Sequence, residues 1–155
     1  MSDSNRNLFI QKWIGKLNAA DRDMSLIAAE KLGSTRDPNL VPELVKALKN
    51  RPDDVRASAI RALAVIRHRS AVPHLLPLLN DPNPMIATAA ASALGEIGHM
   101  SAVSALGEIL RSYKQGNSRH EQLRGINRGV YLSALDALKR IDTIQARSFV
   151  EKYGH

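Results

Sequence analysis

The sequence predicts an all-α protein, an α-solenoid of about four helical hairpins closed by a short C-terminal capping helix. Three observations carry that prediction. The chain repeats itself every 31 residues: Leu17, Leu48, Leu79 and Leu110 fall in register, as do Leu32, Leu63 and Leu94, Val41, Val72 and Val103, and Leu44, Leu75 and Leu106. Inside a repeat the apolar residues keep helical spacing, with Val55, Ala59, Ala62, Leu63 and Ile66 on one face of a 3.6-residue period. Aromatics are only 4% of 155 residues that are 44% hydrophobic, so the core must be built from Ala, Leu, Ile and Val. A hairpin of this size cannot bury its own stripe, and successive hairpins must therefore stack.

The elements follow in order within one domain, 1–155. The first unit, about 8–38, holds helices at about 8–18 and 24–32. The second, about 39–70, holds helices at about 40–49 and 55–67, with Asp53 and Asp54 placed at a helix start. The third, about 71–100, holds helices at about 71–79 and 85–97, separated by the breaker Asn80-Asp81-Pro82-Asn83-Pro84. Gly33, Gly95 and Gly98 fall near the ends of second helices, where close packing or C-capping uses them. The fourth unit, about 101–142, begins with a helix at about 102–113. Its second helix is displaced, because Ala137, Leu138 and Ile141 match Ala93, Leu94 and Ile97 at a separation of 44 residues. The surplus reads as an inserted loop at about 114–129. The cap, 143–155, carries a helix at about 144–153. Phe9 and Trp13 in the first helix and Phe149 and Tyr153 in the last read as covers for the two outer faces of the stack.

The pattern Asp54-Val55-Arg56-x-x-Ala59-x-x-Ala62-Leu63, then Val72-Pro73-x-Leu75-x-x-Leu78-Leu79, resembles the short HEAT-like repeat. Ala90-x-x-Ala93-Leu94-Gly95-Glu96-Ile97-Gly98 is similar to the ending of the subtype first described in phycobilisome lyases. The resemblance implies a right-handed solenoid whose second helices line a concave surface. It also implies a role as a scaffold, or in phycobilisome or bilin-related assembly, including as one subunit of a two-subunit bilin lyase. Iron-dependent hydroxylases and DNA glycosylases share related solenoids. The hydroxylases carry several His-Glu pairs, whereas this chain has the single pair His120-Glu121.

Composition narrows the chemistry. There is no cysteine, which excludes disulfides, thiolate metal sites and a Cys nucleophile, and fits a cytoplasmic protein. No apolar run reaches membrane-spanning length, and the N-terminus lacks a signal-peptide layout. Nucleophile elbow, phosphate-cradling loop and zinc-protease motif are all missing. His68 and His99, equivalent in adjacent units, read as exposed helix-end imidazoles, favoured by the C-terminal dipole when protonated. The sequence therefore predicts a non-enzymatic protein with no cofactor and no metal.

Its predicted work is binding. Extrapolating the core offsets sends three rows of the second helices outward: Leu26, Ala57, Thr88 and Leu132; Glu30, Arg61, Ser92 and Asp136; Ser25, Arg56, Ala87 and Tyr131. The charge of +7, from 22 Lys plus Arg against 15 Asp plus Glu, is uneven. Residues 39–70 carry +4, 71–100 carry −2 and 101–129 carry +3. One basic cluster is Arg56, Arg61, Arg67 and Arg69; the other is Arg111, Lys114, Arg119, Arg124 and Arg128. The leading expectation is an adaptor for an acidic or amphipathic protein partner, without membrane contact. Partner-binding candidates are Leu26, Arg56, Ala57, Arg61, Thr88, Ser92, Tyr131, Leu132, Arg119, Arg124 and Arg128. The alternative is a nucleic-acid binder using the two basic clusters, flanked by Tyr113 and Tyr131.

Overall fold

A computed structural model describes residues 3–17, 21–49, 51–115 and 127–155. Helices pair as hairpins throughout, and the class is the expected all-α solenoid; no strand occurs among the described residues. Two compact units are resolved, Met1–Ala71 and Val72–His155.

In the first unit, helix α1 spans Asp3–Leu17 and α2 spans Arg22–Ser34. Asp21 starts α2, its carboxylate accepting the Met24 N–H at 3.0 Å. The Ser25 hydroxyl lies 3.2 Å from the carbonyl of Leu17 and 2.9 Å from that of Asp21, which ties the first turn of α2 to the end of α1. A 3-10 turn, Pro38–Leu40, leads into α3, Val41–Lys46, and α4 follows at Asp53–Ile66. The register leucines Leu17, Leu32, Leu44, Leu48 and Leu63 are all buried here. Gly33 of α2 lies against Ala62 of α4 so closely that a Cβ on it would stand 2.7 Å from the Ala62 Cα.

In the second unit a single helix at about 71–79 was expected, and three shorter pieces stand there. Val72–Leu75 is helical (α5), flanked by 3-10 turns at Arg69–Ala71 and Leu76–Asn80. Pro77 is the cause: it has no N–H to donate to the carbonyl of Pro73, and its ring crowds that carbonyl. Helix α6, Pro84–Ile97, starts at Asn83, whose side chain accepts the Met85 N–H at 2.9 Å. Helix α7 is Val103–Lys114, α8 is Asn127–Ile141 and α9 is Ile144–Tyr153. The last three residues of the expected loop, 127–129, form the first turn of α8, while 116–126 lie outside the described residues. Gly95 and Ala137 repeat the contact of Gly33 and Ala62, again at 2.7 Å for an added Cβ, and bring α6 close to α8. Gly107 of α7 lies under the Phe149 ring of α9.

Each described hairpin ends in the same two-residue device. Arg36, Arg67 and Gly98, 31 apart, take left-handed backbone with φ of 54°, 55° and 71°, and Asp142 ends α8 the same way at 49°. The next residue caps the following turn. Asp37 accepts the Asn39 N–H at 3.0 Å, His68 Nδ1 that of Ser70 at 3.4 Å, His99 Nδ1 that of Ser101 at 3.3 Å, and Thr143 that of Ala146 at 3.1 Å. This revises the reading of the two histidines. His68 Nδ1 also lies 2.7 Å from the Ser70 hydroxyl and His99 Nδ1 2.8 Å from the Ser101 hydroxyl, so each imidazole caps the turn that follows it. Removing the His99 cap, as His99→Ala, is expected to cost about 1 kcal/mol, while His99→Asn retains most of it. Urea denaturation checks this, and an unchanged midpoint for His99→Ala would contradict it.

Candidate interaction surface

In the first unit the middle of α4 presents little open surface, whereas α2 exposes Ile27 and Glu30. On α4 the four consecutive residues Ala57, Ser58, Ala59 and Ile60 are all buried. Ala57 was expected on an outward row, and at 1% exposed it cannot touch a partner. Extrapolating rows from the core offsets treats a helix as open on one side, and the middle of α4 is closed at Ala57 while Arg61 and Val65 stay exposed. Ser25 and Ala87 are buried for the same reason, and Leu26 is half-buried.

Arg56, another candidate, is turned to internal use. Its Nε donates to the Leu48 carbonyl at 3.1 Å and its Nη1 to Asp53 at 2.8 Å, tying the start of α4 to the turn after α3. Asp54 is paired with Arg22 and also accepts the Val55 N–H at 2.8 Å. The adjacent carboxylates of Asp53 and Asp54 therefore serve ion pairs and a helix start. Arg61 remains exposed, its Nη2 donating to the Ser58 hydroxyl at 2.9 Å.

The second unit is more open. On α6, Ser92 is exposed, Thr88 half-buried and Met85 exposed. On α8, Leu132 is 49% exposed and Arg128, one turn earlier, is exposed as well. The two rows are neighbours, because a Cβ on Gly129 would stand 3.5 Å from the Thr88 hydroxyl. At the far end Arg140 of α8 pairs with Asp136 at 2.8 Å and with Glu96 of α6. These two carboxylates raise the pKa of the Arg140 guanidinium above its ordinary value, the hydrogen bond that it donates to Asp136 acting most strongly. The result is an apolar and cationic end at Met85, Leu132 and Arg128, a stretch of small residues, and an ion-paired end. Arg119 and Arg124 lie outside the described residues.

Tyr131 corrects a second expectation. It is buried, not outward-facing, because its ring stacks on Tyr113 with centroids 4.4 Å apart and its hydroxyl donates to the Tyr153 carbonyl at 2.8 Å. Burial, and secondarily the neighbouring Tyr113, pushes its phenol above the ordinary value. The sequence placed both tyrosines at the edges of the insertion without a signal that they meet. Also missed were Met100 and Ile144, large, exposed and equivalent in the 44-residue register. That equivalence was open to inspection.

Among the described residues no group of three or more His, Asp or Glu is placed to hold a metal, and no buried polar side-chain atom lacks a partner. No described helix is long and apolar enough to cross a membrane.

The family description for HEAT repeats matches residues 41–123, more than half of the chain. No curated protein matches the sequence. Among solved structures, the complex of CpcE and CpcF of phycocyanin lyase from Nostoc sp. PCC7120 is similar at a TM-score of 0.67 and 22% identity. The match covers 94% of this chain and 63% of the solved one, so the chain spans less than two thirds of that relative.

Proposed function

This chain belongs to the HEAT-repeat family, and from that premise we propose that it is a non-enzymatic scaffold binding an acidic or amphipathic protein. The carrying observation is Leu132, 49% exposed on α8 where Tyr131 and Leu135 are buried, with Arg128 exposed one turn away. An isolated exposed leucine needs no explanation, but here it lies three residues after Gly129, which faces Thr88 of α6, and Ser92 and Met85 of α6 are exposed as well. An amphipathic helix laid along α6 and α8 would cover Leu132 and set its acidic residues near Arg128. In the first unit Arg61 offers a separate cationic contact.

Affinity purification from the native cell, followed by measured binding of the captured partner, tests the proposal. Leu132→Asp is expected to weaken binding about tenfold or more, as for a central apolar contact. Thermal stability should stay nearly unchanged, since the side chain is half in water. Full affinity in both Leu132→Asp and Arg61→Glu would overturn the assignment of this surface. The likeness to the phycocyanin lyase complex supports one finer reading, a subunit of a bilin-attaching pair. Co-production with a candidate second subunit and bilin would then give visible absorbance on an acceptor protein, and its absence in every pairing removes that version.

A further inference from the structure

We infer that the tyrosine pair joining α7 to α8 is a stacking platform for single-stranded nucleic acid, a reading that shares only Arg128 with the protein-partner surface. The pair is held from below. Tyr131 is buried, and its hydroxyl is fixed on the Tyr153 carbonyl at 2.8 Å. Tyr113 stacks on it at 4.4 Å with 25° between the planes, yet keeps 38% of its surface in water. A ring braced on an anchored ring loses little conformational freedom when a third flat group joins the stack. That is the pre-organisation a base-binding platform requires.

The charges nearby match a phosphate backbone. Lys114 Nζ lies 5.9 Å from the Tyr131 ring centroid, and Arg128 is exposed one turn before Tyr131 on α8. Arg111 sits at the end of α7, paired with Glu108. Among the described residues from 111 to 131 there are three cations and no carboxylate. An acidic peptide would use these cations but would have no use for a braced, partly exposed ring. A nucleobase has a flat π-surface for the ring and a phosphate for the cations, so the combination favours the nucleic acid.

The test uses the full chain with fluorescently labelled oligo-dT and oligo-U, short and unstructured, at low and moderate salt. Binding is expected at low salt and should weaken steeply as salt rises. Tyr113→Leu should weaken it roughly five- to a hundred-fold, the range for one base–aromatic stack, while Tyr113→Phe keeps it. Lys114→Glu and Arg128→Glu should each flatten the salt dependence. An unchanged melting temperature for Tyr113→Leu shows that the loss is not unfolding. The inference is overturned if the unaltered chain does not bind at low salt, or if Tyr113→Leu binds as well as Tyr113→Phe. It is equally overturned if polyglutamate competes as tightly at the same residues, which would assign the platform to acidic proteins.

Discussion

Replacing Gly95 by alanine is expected to destabilise the chain by about 2 kcal/mol, opposite in sign to the usual effect of this change in a helix. In a helix interior, alanine normally gains up to about 1 kcal/mol over glycine because it restricts the unfolded backbone. At Gly95 the added Cβ would stand 2.7 Å from the Cα of Ala137 and 2.8 Å from its Cβ. The first of these is backbone, which cannot step aside as a flexible side chain does. Helices α6 and α8 would have to separate, and overpacking of this kind costs about 1–3 kcal/mol. Gly15 supplies the control. It lies within α1 with nothing inside 4 Å of an added Cβ, so Gly15→Ala should stabilise by up to about 1 kcal/mol. In an Ala137→Gly background the cost of Gly95→Ala should fall, since one of the two clashing atoms is gone. Urea midpoints of the unaltered chain and these four variants, the double one included, decide the matter, and equal signs for Gly15→Ala and Gly95→Ala would refute the close-approach argument.

The repeat explains why so much of the fold was legible. Leu17, Leu48, Leu79 and Leu110 mark one buried position four times over, and a periodic signal survives noise that would obscure any single helix. Capping was only partly legible. Gly98 announced itself as a left-handed residue, but Arg36, Arg67 and Asp142 adopt the same conformation without a glycine. There the cost of a side chain at positive φ is borne by the tertiary context, which local propensity does not encode. His68 and His99 were found in register yet assigned to the helix they follow instead of the turn they cap. The surface was least legible of all. Small residues occupy both exposed and closely packed positions in this chain, so Ser92 is exposed while Ala57 is enclosed, and hydrophobicity does not separate them. Arg56 shows the same limit for charge, because a cation counted toward a basic cluster is bound to Leu48 and Asp53.

Loss of the Tyr131 side chain, as Tyr131→Ala, is expected to have the largest effect of any single change, about 3–5 kcal/mol. Three interactions end together: burial of the ring, the stack with Tyr113, and the hydrogen bond to the Tyr153 carbonyl that holds the end of α9. Tyr131→Phe separates them, since it keeps the ring and should cost only about 1 kcal/mol for the hydrogen bond. The phenol also makes a signed prediction in pH. Burial first, and Tyr113 second, raise its proton affinity in the folded chain above that of the unfolded chain. Below about pH 10 both states are protonated and the full contribution of the hydroxyl is present. As the pH rises further, unfolded chains ionise first, so stability falls until the folded phenol also gives up its proton. The unaltered chain should therefore lead Tyr131→Phe by a constant margin at neutral pH, and the lead should shrink at higher pH. Lysines titrate over the same range, but they are common to both proteins and cancel in the difference. Urea midpoints of the pair, measured from neutrality to about pH 11 alongside phenolate absorbance, test this. A lead that stays flat, or grows, with rising pH would mean that the Tyr131 hydroxyl is not held as the structure has it.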